Sequence, residues 1–222
     1  MQFTEMSQRA TNAKAKADRR DVILAAAADA FDRLGFAATS MEWLAERAGV
    51  AKGTVYLYFP TKESVFLALY RQELDGWFAD IDARIGKLGA DDALAFVGLV
   101  VDAMEARPRL PALMAILHVV LERNAGEEEI LALKRHVLEK TSATGRRIEE
   151  KLGFLVEDDG VRLLLRIHAL VIGCWHAAAP APNARRVLAR DEFAPLRRDF
   201  SEELENSLAL LLEGWRHSGG GF

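Results

Sequence analysis

The stretch 40–62, SMEWLAERAGVAKGTVYLYFPTK, constrains the fold more than any other part of the chain. Two short helices that cross steeply need a small residue where their backbones meet and a glycine where the chain turns. Ala45 and Gly49 stand at those two places. Ahead of the turn Leu44 and Ala48 share a helical face, and Val50 and Val55 can close the same small core. Gly49 is expected in the left-handed conformation that ends the first helix. The second helix is predicted over residues 51–58, stopped by Phe59-Pro60, with Thr61 capping a new helix that opens with Lys62 and Glu63. At the front, Thr39 with Glu42 three residues on makes a capping-box pattern, and Ser40 is the alternative cap. Such a helix-turn-helix is a device for reading duplex DNA.

AGVAKGTVYLYFPTK, preceded by TSMEWLAER and an apolar helix, resembles the signature of the TetR family of transcriptional regulators. The resemblance covers residues 20–70, and its most specific part is the Tyr-x-Tyr-Phe-Pro-x-Lys ending; later helices resemble the family in layout only. It implies an all-α protein, with an N-terminal three-helix helix-turn-helix DNA-binding head and a C-terminal helical ligand-binding and dimerisation bundle. It also implies that Lys52, Gly53, Thr54, Tyr56 and Tyr58 face DNA. Gly53 would let the backbone approach the duplex, Thr54 could meet a phosphate or a thymine methyl, and Tyr56 could bond a phosphate. Lys52 is the candidate base reader. Core packing is the alternative for the tyrosines, and Phe59 is assigned to the core. Lys62 and the helix N-terminus at Thr39 and Ser40 are candidate phosphate clamps. Position 51 departs from the family pattern, which usually has serine: Ala51 cannot cap the recognition helix or donate to phosphate.

The net charge of −4 would by itself argue against nucleic acid, so its distribution matters. Through Lys62, 9 Lys and Arg stand against 7 Asp and Glu, a net +2; the remainder carries 20 against 26, a net −6. A mildly basic head on an acidic body fits DNA as the partner. Cys174 is the sole cysteine, which excludes an internal disulfide and a thiolate zinc cluster and suits a reducing cytoplasm. The first twenty residues lack an apolar signal core. The most apolar later stretches, 93–101 and 163–175, are read as too short or too interrupted, by Arg166 and His168, to span a membrane. A soluble cytoplasmic protein is expected.

Domain boundaries are placed at 1–18 for a flexible tail, 19–64 for the head, 65–217 for the effector-binding and dimerisation domain, and 218–222 for a second tail. Arg9, Lys14, Lys16, Arg19 and Arg20 lie near enough to the head to touch DNA, although a solvated end is the simpler reading. Helix 1 is predicted over 20–34, with Ile23, Ala27, Ala30, Phe31 and Leu34 inward and Gly35 as its stop. The helix opening at Lys62 keeps an apolar stripe of Phe66, Leu69, Tyr70, Trp77, Ile81 and Ile85, with Gly76 as a possible bend. Further helices are predicted over 91–106, 110–124, 127–152, 158–178 and 193–215, with a Pro- and Ala-rich basic surface loop before the last. Glu127, Glu128 and Glu129 suit a helix N-terminus.

Candidates for an effector pocket are Trp77, Phe96, Met104, Met114, Leu117, His118, Leu121, Phe154, His168 and Trp175. Most aromatic and Met residues at helical spacing are core. His118 and Glu122 are four apart, but no second histidine pair stands near them, so no metal is expected, nor any cofactor. A homodimer is expected through the last two long helices, with Phe200, Leu204, Leu208, Leu211, Leu212 and Trp215 on one and small Ala169 and Gly173 on the other. The stripe could instead pack within its own chain. No nucleophile elbow, phosphate loop, HExxH or paired-carboxylate motif is present, so an enzyme is not expected. The reading is therefore a ligand-responsive regulator, most simply a repressor released from a palindromic operator by a small, largely apolar effector. A helical adaptor or an enzyme-like ligand-binding protein without specific DNA binding is the alternative.

Overall fold

The computed structural model describes the backbone of residues 2–218 and the side chains of residues 14–218. Among them no strand forms. The head is α1 (Gln2–Ala38), α2 (Met41–Arg47) and α3 (Lys52–Tyr58); α4 (Lys62–Ile85) runs from it into the body. The body adds α5 (Ala93–Glu105), α6 (Arg109–Ile116), α7 (Glu122–Asn124), α8 (Glu127–Lys151), α9 (Asp159–Ala178), α10 (Pro182–Leu188) and α11 (Phe200–Ser218).

Seven-residue helices such as α2 and α3 are unstable alone in water, so their existence depends on the core they share. Ile23, Ala27, Ala30, Leu44, Val55, Phe59 and Phe66 supply it, all buried. Gly35, at φ 73, interrupts α1, and the core closes across this kink with Phe36, whose ring meets Phe66 edge-on at 5.1 Å. Leu34, expected inward, is therefore 42% exposed. The stretch expected as a tail is helical from Gln2 onward, while the Arg9 side chain and residues 219–222 lie outside what is described.

In the body, α4 is flanked by α5, α6 and α8, and α9 packs against α6, α8 and α11. At the α8–α9 crossing the backbones touch: a Cβ on Gly160 would lie 2.1 Å from the Gly145 carbonyl oxygen, so both positions require glycine. Asp159, fully buried beside this crossing, accepts from Trp215 Nε1 at 3.1 Å and the Val156 amide at 3.1 Å, tying α9 to α11. Gly76 does not bend α4. Instead it makes room for the Arg107 guanidinium, which a Cβ would meet at 2.7 Å.

Three predicted elements need correction. The helix expected over 110–124 is broken by a π turn at Leu117–Leu121, in which the Glu122 amide bonds the Leu117 carbonyl. The expected loop before the last helix contains α10 and a 3-10 turn at Asp191–Leu196, held by Arg197, which donates to the carbonyls of Leu188, Ala189 and Arg190. Consequently α11 starts at Phe200, not 193. Finally, by length and composition alone α9 is apolar enough to cross a membrane despite Arg166 and His168, a test that a core helix of a helical bundle passes equally. Only 28% of that apolar window is buried within the chain, so its outer face lacks intramolecular cover.

Candidate nucleic-acid interface and effector cavity

The turn that aims α3 is closed by two backbone bonds. Gly49, at φ 64, donates to the Glu46 carbonyl at 3.1 Å and Val50 to that of Ala45 at 3.0 Å, the paired bonds of a Schellman ending. Ser40 caps α2, accepting from the Trp43 amide at 3.1 Å. Thr39 is not the cap: it is buried and donates to the Gly35 carbonyl at 2.8 Å, so the expected Thr39–Glu42 box does not form. That burial also removes the Thr39 side chain from the candidate phosphate contacts, leaving Ser40. Ala51 makes no side-chain cap, and the Thr54 amide bonds the Ala51 carbonyl at 2.8 Å. Thr61 caps α4 through the Ser64 amide at 3.0 Å, as expected.

Gly53 and Tyr56 are exposed on α3, and Thr54 and Tyr58 are half-buried, Tyr58 with its ring against the core. Lys52 is exposed, but its ammonium bonds Glu42 Oε1 at 2.7 Å; that bond and charge raise the Lys52 pKa and lower that of Glu42. Lys62 departs further from its expected role. Its ammonium donates inward to the carbonyls of Phe36 at 2.9 Å and Thr39 at 3.0 Å, and lies 4.2 Å from the Phe36 ring centroid. It closes the end of α1 where Gly35 has broken the helical bonding. Leu57, which the sequence reading did not single out, is 82% exposed on α3. Its signal was an apolar side chain two positions from buried Val55, pointing away from the core side.

A cavity of ≈ 230 Å³ opens between α4, α5, the α6–α7 segment, α8 and α9. Trp77, Met104, Met114, Leu117, His118 and His168 line it, as expected. Phe96, Leu121, Phe154 and Trp175 do not: Phe96 and Leu121 are solid core, Phe154 sits under Arg216, and Trp175 meets Phe200 edge-on at 6.0 Å. Among the wall residues that sequence reasoning did not single out are Tyr70, Leu74 and Phe78 of α4, Glu122, and Lys134 and Thr141 of α8, which reads as a polar surface helix. The π turn sets Leu117, His118 and Glu122 on the wall. Glu122 accepts from His118 Nδ1 at 2.9 Å and from Lys134. Burial raises the Glu122 carboxyl, but those two bonds outweigh it and leave the pKa below its usual value. Burial, with His118 and Lys134 nearby, pushes His168 down to about 4. Trp77 Nε1 is buried with no hydrogen-bond partner among the described residues.

Residues 23–69 match the family described as bacterial regulatory proteins, tetR family, and residues 71–219 match the tetracyclin repressor-like C-terminal domain. The chain belongs to the TetR family. It is 31% identical over 216 residues to the HTH-type transcriptional regulator RutR of Escherichia coli K12, covering 96% of this chain and 95% of the relative. It is 27% identical to the HTH-type transcriptional repressor KstR of Mycobacterium tuberculosis, over 68% of this chain and 70% of that protein. The fold is shared with FadR from Bacillus subtilis in complex with stearoyl-CoA, at a TM-score of 0.51 and 20% identity, covering 84% of this chain and 96% of that one. As a TetR-family member the protein is a DNA-binding transcriptional regulator and not an enzyme. Family regulators act as dimers, and here the structure divides the residues expected at that interface. Leu204, Leu208, Leu212 and Trp215 are buried in their own chain against α5 and α9, because one helix cannot turn the same stripe both ways. Ala169 and Gly173 are exposed and Phe200 and Leu211 half-buried; Leu165, Leu210 and Gly214, not singled out from the sequence, are exposed as well.

Proposed function

We propose that this protein is a repressor that binds a near-palindromic operator as a homodimer in the cytoplasm and is released by a small, largely apolar effector held between α4 and α9. The observation that carries this reading is the continuity of α4. One unbroken helix starts in the head at Lys62 and supplies Tyr70, Leu74, Trp77 and Phe78 to the cavity wall. A tilt imposed on it by a ligand is passed to α3. Two heads are needed because one helix-turn-helix reads only a short half-site. The outer faces of α9 and α11, with Leu165, Ala169 and Gly173 on one and Leu210, Leu211 and Gly214 on the other, supply the partner surface.

Selecting genomic DNA fragments bound by the protein would define the operator, and a compound screen against that fragment would then read release. Tenfold release needs only ~1.4 kcal/mol of differential affinity between the DNA-competent and DNA-incompetent forms. Selection of no preferred sequence would reject the regulator reading. Compounds that stabilise the fold while none alters operator affinity would reject the coupling.

A further inference from the structure

The cavity has an apolar floor and a charged mouth. Of its wall residues only His118, Lys134 and Leu165 are exposed, and they mark the opening between the π turn, α8 and α9. Leu74, Phe78, Met104, Met114 and Ile167 are buried and make the floor largely apolar. The charged and imidazole side chains of the wall form one cluster at the mouth. Glu122 accepts from Lys134 and from His118 Nδ1 at 2.9 Å, and the His118 ring meets that of His168 edge-on at 5.7 Å. Within the hydrogen-bonded trio Glu122 lies deepest: its side chain is 17% exposed, against 52% for His118 and 50% for Lys134. Burial opposes the Glu122 charge, yet the bonds from Lys134 and His118 hold its pKa below the usual value, so it stays ionised at neutral pH. The Lys134 ammonium gives one N–H to Glu122 and keeps the others for a ligand acceptor.

Two consequences narrow the occupant. A charged end pushed onto the floor would lose its hydration and find no opposite charge, whereas at the half-exposed mouth it keeps water and meets the ammonium. A molecule with one polar end therefore enters tail first. The second consequence is size: an engineered cavity of ~150 Å³ accepts benzene, so ≈ 230 Å³ encloses roughly nine or ten non-hydrogen atoms.

We propose that the cavity takes an amphipathic molecule of roughly nine or ten non-hydrogen atoms, its apolar tail on the floor and a hydrogen-bond-accepting head, a carboxylate or a carbonyl, against the Lys134 ammonium at the mouth. The proposal rests on reading this cavity as the effector site and adds the chemical class of the ligand and its orientation.

Calorimetry on the full chain near neutral pH, without DNA, tests it with three flexible probes of one size: octanoate, an anionic acceptor; 2-nonanone, a neutral acceptor; and nonylammonium, a cationic donor. Octanoate and 2-nonanone should each bind about tenfold more tightly than nonylammonium. Lys134→Met keeps the stem of a half-exposed side chain and removes the ammonium. It should weaken octanoate about tenfold and reverse the order, because Glu122 is then left to attract nonylammonium. In the parent protein, affinity should rise about fourfold per methylene from butanoate to octanoate and level off by dodecanoate, whose chain outgrows the floor. Nonylammonium binding as tightly as the acceptors, octanoate affinity unchanged in Lys134→Met, a rise that continues undiminished through dodecanoate, or no binding of any probe at millimolar concentration would each overturn the proposal. Octanoate binding with the expected preference but with operator affinity unchanged would reject the effector reading and leave the ligand class standing. Release of the operator by another kind of compound, with the probes failing, would do the reverse.

Discussion

Arg109, the first residue of α6, donates through Nε to both carboxylate oxygens of Asp32 in α1, at 2.9 and 3.0 Å, and also binds Glu73 of α4. The same helix reaches the cavity at Met114 and, through the π turn, at His118. This pair therefore joins the cavity wall to the DNA head. Both side chains are partly exposed, so its contribution to stability is small, about 0.5–1 kcal/mol. Asp32→Asn should leave the fold intact yet speed amide exchange in the last turns of α1 and lower operator affinity. Exchange and affinity both unchanged would show that the pair carries no coupling.

Lys62 is expected to matter to the free protein before any DNA is present. Lys62→Met keeps the stem over Phe36 but removes the ammonium from the Phe36 and Thr39 carbonyls, leaving Phe36 only the 3.3 Å bond from the Thr39 amide, at a cost of about 1–2 kcal/mol. Thermal unfolding without DNA reads this. A variant as stable as the parent would return Lys62 to the role of a pure phosphate contact.

Leu57 should contribute to sequence preference without supporting the fold. An apolar side chain facing the major groove meets thymine methyl groups, so Leu57→Ser should relax preference at one position per half-site by about 1 kcal/mol. Stability should not fall. Binding-site selection with both proteins checks this, and an unchanged base preference would remove Leu57 from the readout.

The outer and inner faces of α11 should respond oppositely to charge. Leu210 is 76% exposed and Leu208 fully buried, so Leu210→Glu should give a folded monomer and Leu208→Glu an unfolded or aggregated chain. Sedimentation with circular dichroism separates the two. A dimeric Leu210→Glu would move the partner surface elsewhere.

Stability should fall with acid through His168. The unfolded chain binds the imidazole proton near the ordinary value of 6.5, the folded chain only near about 4. Between those values the unfolded state holds the extra proton, so stability rises with pH and is lost as pH falls through that window, by up to about 3 kcal/mol. His118, Glu122 and Lys134 are the charged or titratable groups that act on it, and Glu122, held below its usual value, loses its own contribution at lower pH. Denaturant titrations at pH 7 and pH 5 should show His168→Gln flattening the dependence. An equally steep loss in the variant would assign it to other groups.

The local sequence determined what local physics controls. Gly49, Phe59-Pro60 and Thr61 set the turn and the limits of the recognition helix, and the 3.6-residue periodicity set the paths of α4, α8 and α9, because caps, left-handed turns and amphipathic faces are properties of a few consecutive residues. The same windows cannot say which partner meets a face. Only the tertiary structure turned the Lys62 ammonium onto the Phe36 and Thr39 carbonyls, gave the Leu204–Leu208–Leu212 stripe to its own chain, and brought Lys134 and Thr141 of a polar helix to the cavity. The register slip of the π turn and the Gly145–Gly160 crossing were likewise invisible, since both are fixed by packing between segments distant in the chain. Caps and periodicity are short-range and sum along the sequence, whereas a cavity or a buried charge depends on surfaces that exist only once the helices have docked.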